Sequence, residues 1–446
     1  MDDTGHVSAV QRHGGGEQPR RTLGERLTAT VAPAYIPRLV DQRLQDLLAA
    51  VPAVELRGPR GCGKTTTALR QARSAFYLDD PDDAELLRVD ARAVFEASEP
   101  PILIDEWQQA PDVLWTVKRI VDRAPAENGL FIITGSLRST QASQLPSTGR
   151  VMPLDMFPLT EAEKAQSAAA PLFDRIASGD LGATAADLDA NDYIDMALAS
   201  GYPRAMAVPS KALRASALRA RVDQTLNIDS LVGRHDTAKL LEFARVYASR
   251  TAGVTPLASL CSEIGISRVT GRAYMALLER TYLAHEAPAF VPGGMSRVQK
   301  SPKRLLVDAG LAAAMWGSDA RVIRRSGDLR GRLMETFAAA QMRVEHDPRV
   351  AGRRLCHFRR DGAQEVDFVL DGGHRGIVGV EVKAGERAGL HEARHLLWLR
   401  DQLGDRFVGG VVLHTAPRRP RVLSPAVGGG VGGGRVWAAP LSTLWQ

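Results

Sequence analysis

Eight consecutive residues, Gly58-Pro59-Arg60-Gly61-Cys62-Gly63-Lys64-Thr65, have the spacing G-x-x-x-x-G-K-[ST]. Glycines at 58, 61 and 63 let the backbone curl until several N–H groups face one anion. A helix that follows such a turn adds its positive end. In that cradle Lys64 neutralises β- and γ-phosphates, Thr65 offers its hydroxyl to Mg²⁺, and Thr66 adds a polar group beside them. The implied cofactors are ATP and Mg²⁺. Acids suited to that chemistry stand in "ILIDEW", where Asp105 delivers a carboxylate toward Mg²⁺ and Glu106 orients the attacking water. "IITGS" sets Thr134 or Ser136 where a polar residue senses the γ-phosphate. Arg150, and after it Arg138, are candidates for an arginine that stabilises transition-state charge.

A second constellation lies in "EVDFVLDGGHRGIVGVEVKAG". Glu381 and Lys383 are two apart, so alternation on a strand points both to one face. A hairpin brings Asp367 close to them. Asp367 and Glu381 are a carboxylate pair able to hold Mg²⁺, with Lys383 polarising an attacking water and Glu335, on a preceding helix, supplying a further acid. Five arginines between Arg349 and Arg360, with no acid among them, form a basic edge able to meet phosphates or solvent.

These residues need elements to hold them. "AVELRG", "AFYL", "PPILIDEW" and "GLFIITGS" read as buried parallel strands, with helical stretches such as Pro111–Arg123 between them. Strands alternating with helices imply a parallel sheet covered on both faces. From Thr160 the chain turns alanine-rich, and Tyr193–Arg250 reads as helical. "TPLASLCSEIGISRVTGRAYMALLERTYLAHEA" reads as helix, turn at Gly265-Ile266-Ser267, and second helix, with Ser267 as N-cap. That layout is a helix-turn-helix, expected to be winged, whose Arg268, Thr270 and Arg272 face could enter a DNA groove. Later strands are expected at "RLCHFRR", "EVDFVLD", "GIVGVEVKAG" and "FVGGVVLHT", and the glycine tract Val427–Gly434 is expected to be flexible.

The order of "YIPR", the phosphate loop, "YLDDP", "ILIDEWQQAP", "IITGS", "GR" and "PLDMFPLTEAE" resembles a widespread family of prokaryotic AAA-type ATPases. The resemblance runs from about residue 33 to 446, through "SGYPRAM" and "SPKRLLVDAGLAAAMW". It implies the usual ATPase roles for Lys64, Thr65, Asp105 and Glu106, and a winged helix before a C-terminal domain. It departs at Trp107, where an aliphatic residue is commoner. The C-terminal helix, hairpin and D…E-x-K spacing resemble the restriction-endonuclease-like, PD-(D/E)xK fold, with Val366 in place of that pattern's proline.

The expected fold class is α/β. Residues 1–30 are expected to be a flexible leader, 31–160 an AAA-type P-loop domain with a parallel sheet and flanking helices, and 161–238 a helical region. Residues 239–295 are the winged helix-turn-helix and 296–446 the restriction-endonuclease-like α/β domain. The expected function is ATP hydrolysis coupled to a nuclease-like domain that acts on or binds DNA or RNA. The alternative is a nucleotide-gated switch whose C-terminal domain docks a protein partner. Composition narrows the class only a little. In 446 residues, 57 basic and 51 acidic side chains leave a net charge of +6, mild for this length, and 44% hydrophobic residues supply sizeable cores. Cys62, Cys261 and Cys356 are far apart and form no disulfide or metal spacing, which fits a reducing, cytoplasmic setting. No apolar run is long enough to span a membrane, and the N-terminus has no signal-peptide core. The sequence leaves the oligomeric state open.

Overall fold

Five short strands build the first sheet: β1 (Ala53–Arg57), β2 (Ser74–Tyr77), β3 (Ile102–Asp105), β4 (Phe131–Gly135) and β5 (Val151–Asp155). They are all parallel, in the order β2-β3-β4-β1-β5. Both faces are covered, which is why β3 and β4 are apolar almost without interruption. Ile104, Phe131 and Ile133 pack with Leu87, Phe95 and Val117 of the Pro81–Glu96 and Val113–Arg123 helices. On the other face Val54, Leu56, Leu103 and Ile132 pack with Leu44 of the Val40–Ala50 helix and with Ala68. The structure, a computed structural model, describes residues 35–124, 126–136, 150–182, 187–233, 236–291, 301–343, 352–360, 364–427 and 431–446. The expected leader, Arg138 and Arg349 lie outside the described residues.

β5 has no counterpart among the strands read from the sequence, because Pro153 interrupts it. Among the described residues its one neighbouring strand is β1, and an edge strand tolerates a proline that cannot donate to a ladder.

Short helices follow. Thr160 caps Glu161–Ala165 in a reciprocal box with Glu163. The Lys211–Gly233 helix leads to Thr237–Ser249, Leu257–Glu263 and Arg268–Arg280. Ser267 caps the last of these, accepting from Thr270 N at 3.0 Å. An antiparallel pair comes next, β6 (Ala284–Ala287) with β7 (Lys303–Leu306). Its second strand lies beyond residue 295, the boundary that the sequence suggests.

The second sheet comprises β8 (Arg354–Arg360), β9 (Gln364–Asp371), β10 (Ile377–Val382), β11 (Phe407–His414), β12 (Arg421–Ser424) and β13 (Arg435–Pro440). Its order is β12-β13-β11-β10-β9-β8, with parallel pairing only at β10–β11 and β11–β13. One face packs on the Arg394–Leu403 helix. The other packs on Met334 and Phe337 of the Gly327–Arg343 helix, and also on Phe173, Ile176, Tyr193 and Ile194. Part of the expected separate helical region therefore belongs to the C-terminal core, and residues 37–446 form one unit. Val431–Gly434, the described part of the glycine tract after Val427, forms a 3₁₀ turn. No helix among the described residues is long and apolar enough to cross a membrane.

Candidate functional site

Strand order explains how distant residues meet. β4 lies between β1 and β3, so the C-terminal ends of these three parallel strands gather Lys64, Thr134, Ser136, Asp105 and Glu106. Lys64 Nζ donates to Gly58 O (3.1 Å), Pro59 O (3.3 Å) and Ser136 Oγ (3.2 Å). Ser136 Oγ in turn donates to Glu106 Oε1 at 3.0 Å, and Gln108 Nε2 donates to Glu106 Oε2. Thr65 Oγ1 lies 2.9 and 3.0 Å from the two Asp105 oxygens, and Thr134 Oγ1 also donates to Asp105. Burial raises the Asp105 carboxyl above its ordinary value, against the pull of the bonds from Thr134 and Thr65. Glu106 has φ 53°, a left-handed conformation that non-glycine residues seldom adopt, and it turns the carboxylate back toward the loop. Thr66 is exposed on the first helical turn.

The loop depends on its glycines at two points. A Cβ on Gly58 would stand 2.0 Å from Met156 O, and Gly63 has φ +111°. It is also held by three contacts that sequence reasoning missed. Arg38, buried, donates to Cys62 O (2.9 Å) and Phe157 O (2.6 Å) and pairs with Glu163 at 2.9 Å. Arg221, on the Lys211–Gly233 helix, donates to Arg60 O at 2.7 Å. Arg57, the residue before the loop, pairs with Asp155 at 3.1 Å, and Asp155 accepts from the Tyr282 hydroxyl at 3.0 Å. Tyr282 lies between the Arg268–Arg280 helix and β6, so this chain of bonds joins the loop to these two elements. Nothing in local spacing marks these partners. The one sequence signal was the presence of "YIPR" and "PLTEAE" in the family resemblance.

Arg150 is placed elsewhere. Its carbonyl accepts from Ala53 N, at the start of β1, and its side chain pairs with Asp122 at 2.6 Å. It therefore sits about 15 Å from its own loop, the length of a five-residue strand, and does not reach a phosphate bound there. Trp107 is buried, with Nε1 2.4 Å from where a Cβ on Gly135 would be. The departure at Trp107 is thus absorbed by packing on a glycine.

The C-terminal residues do come together. Pairing between β9 and β10 runs to Phe368 opposite Val380 and stops. Where the strands part, Asp367 takes the backbone's place, its Oδ2 accepting from Val382 N at 2.9 Å. Lys383 Nζ lies 2.5 Å from Glu381 Oε1. An unforeseen residue completes the group. Lys303 Nζ, from β7, lies 2.6 Å from Glu335 Oε2 and 3.1 Å from Asp367 Oδ1. Burial, and then the Asp367 charge, push Glu381 up to about 8 and Glu335 up to about 7. Burial also pushes Asp367 up, but Lys303, the Val382 N–H and Lys383 bring it below its ordinary value. This pocket does not fit the expected metal. Among the described residues no three His, Cys, Asp or Glu side chains are set to hold one ion, and an ammonium stands between two of the acids. The arginine edge is also partly committed, because Arg353 is buried against Asp174 at 2.7 Å and Arg359 lies 3.8 Å from Glu365.

Comparison with known proteins agrees with the first sheet. Residues 51–164 match a family described as AAA domain. Residues 190–322 and 330–426 match two domains of unknown function, DUF8612 and DUF4143. Uncharacterized proteins Rv2008c of Mycobacterium tuberculosis and Mb2031c of Mycobacterium bovis are each 25% identical over 338 residues, 74% of this chain and 70% of theirs. The Walker-type ATPase PABY2304 of Pyrococcus abyssi superposes at a TM-score of 0.41 and 11% identity, over 63% of this chain and 96% of its own. The domain match and the strand-end geometry together support an AAA-type domain over residues 51–164.

Proposed function

We propose that the chain is a Mg²⁺-dependent ATPase whose nucleotide state is passed to the helical and C-terminal regions. One observation carries the reading: Thr65 and Asp105 share hydrogen bonds within 3.0 Å beside Lys64, at the ends of β1 and β3. A hydroxyl and a carboxylate so placed are the hard oxygen donors that Mg²⁺ takes, and both would hold it. When bound, the ion neutralises charge on the β- and γ-phosphates. The loop amides and Lys64 bind and orient the phosphates. Glu106 accepts the proton of an attacking water, and Ser136, bonded to both Lys64 and Glu106, keeps lysine and base in register. Arg268 and Arg272 are exposed on the Arg268–Arg280 helix beside Val269, which is 76% exposed, and they support nucleic-acid contact on that face. A second reading, a switch whose C-terminal domain docks a protein without cutting, is favoured by the Lys303 ammonium in the acidic pocket.

The test is an ATP titration of the parent and Lys64→Ala. Loss of a charged partner costs about 1.5–3 kcal/mol, so affinity should fall roughly 10- to 100-fold. Equal affinity rejects the assignment. ATPase rates measured with DNA, with RNA and without either then separate the two readings: stimulation supports nucleic acid, and no response supports the docking module.

A further inference from the structure

We propose that Lys303 is the resident cation of the C-terminal acidic pocket, and that its ammonium keeps divalent cations out. The side chain is 1% exposed, although lysine is among the residues least often buried. Its three N–H donors are engaged by Glu335 Oε2 (2.6 Å), Asp367 Oδ1 (3.1 Å) and Asp367 O (3.4 Å). The Phe368 ring centroid lies 4.8 Å from Nζ. A divalent cation bound by Glu335 and Asp367 would use the same carboxylate oxygens and would stand within about 4 Å of the ammonium, where two like charges repel strongly in a buried site.

The placement is built by the fold. Lys303 opens β7, opposite Ala287 of β6. The next residue, Arg304, donates its main-chain N–H to Gly253 O at 2.9 Å, and its carbonyl accepts from Ala252 N at 2.7 Å. The lysine stem is therefore fixed from the helix-turn-helix side, while Glu335 and Asp367 belong to the C-terminal side. The ammonium is an ionic link across that boundary. Lys383 already engages one oxygen of Glu381. The other, Oε2, is buried with no hydrogen-bond partner. One free carboxylate oxygen is too few for a hard cation, which takes six or more oxygen ligands, waters included. With the ammonium gone, the oxygens of Glu335 and Asp367 that it now holds would lose their cation. This inference does not depend on the ATPase reading.

The test is Mn²⁺ binding, followed by the electron paramagnetic resonance of the free ion. It uses the full chain carrying Asp105→Asn, so that the nucleotide site contributes no metal signal. With Lys303 in place no Mn²⁺ site is expected. Lys303→Met should gain one Mn²⁺ per chain, and adding Asp367→Asn should remove it. A Mn²⁺ site in the Lys303 protein that Asp367→Asn abolishes would overturn the proposal. So would a folded Lys303→Met that gains no site. Thermal unfolding covers the case in which Lys303→Met is too unstable to titrate. Since the pair is buried, Lys303→Met with Asp367→Asn should then melt higher than Lys303→Met alone. A double variant that melts no higher than the single one contradicts the proposal.

Discussion

Glu381 shows most clearly how environment sets the behaviour of a single residue. Its carboxyl is buried, and Asp367 lies nearby, so it titrates near 8 in place of its ordinary 4.5. An acid with a raised folded value favours the fold when protonated, and that contribution is lost as pH rises from the unfolded value through the folded one. Glu381→Gln mimics the protonated form. It should gain stability relative to the parent between pH 6 and pH 9, by at least about 1.4 kcal/mol, the equivalent of one unit. Denaturant unfolding at the two pH values measures this, and a constant difference would contradict the assigned environment. The same scale shows what the sequence could reveal. The meeting of Lys64, Thr65, Asp105 and Thr134 was legible because it follows from local spacing and from where a strand ends. Lys303 was not, because the lysine in "SPKRLL" resembles any strand-end lysine until Asp367, 64 residues later, folds against it.

Elements held the chemistry in place in ways that were only partly readable. The four strands with long apolar runs were recognisable, whereas β5 was hidden by its proline and β12 by its brevity. Both are edge strands, the class in which alternation and burial leave the weakest pattern. The Ser267 cap could be read because an N-cap serine before a helical period is a local signal. The bracing of the phosphate loop was not readable, since Arg38 and Glu163 are 125 residues apart. That pair allows a prediction at this scale. Arg38→Ala leaves Glu163 buried without its charge partner, which costs about 3–5 kcal/mol, and it frees the Cys62 carbonyl. The melting temperature and ATP affinity should fall together. Glu163 keeps its bonds to Thr160 N and Leu39 N, so Arg38→Met with Glu163→Gln should recover part of the stability. A double variant that loses the sum of the two single effects would show that the pair is not coupled.

At the scale of the whole molecule, the chain is not a row of separate modules. The helices Leu172–Ser178 and Ala190–Ala199 pack against the second sheet, although its first strand begins only at Arg354, 155 positions after Ala199. A linear reading assigns them to the region they adjoin in sequence, because hydrophobic periodicity says that a face is apolar but not what covers it. A fragment of residues 296–446 would therefore expose the surface that Phe173, Ile176, Tyr193 and Ile194 cover, and it should aggregate or fold poorly. A fragment of residues 165–446 should fold more stably. Circular dichroism melting of the two compares them directly, and a cooperative, equally stable short fragment would contradict the interleaved core.

The central claim is that nucleotide hydrolysis occurs at the ends of β1, β4 and β3. Its most direct test is single-turnover ATP hydrolysis by Glu106→Gln, with ATP binding measured on the same preparation. Glutamine keeps the shape of the side chain and its bond with Ser136 but cannot take the proton. The variant should therefore bind Mg·ATP as the parent does and hydrolyse it at least about tenfold more slowly. Hydrolysis at the parental rate by a variant that binds normally would contradict the claim.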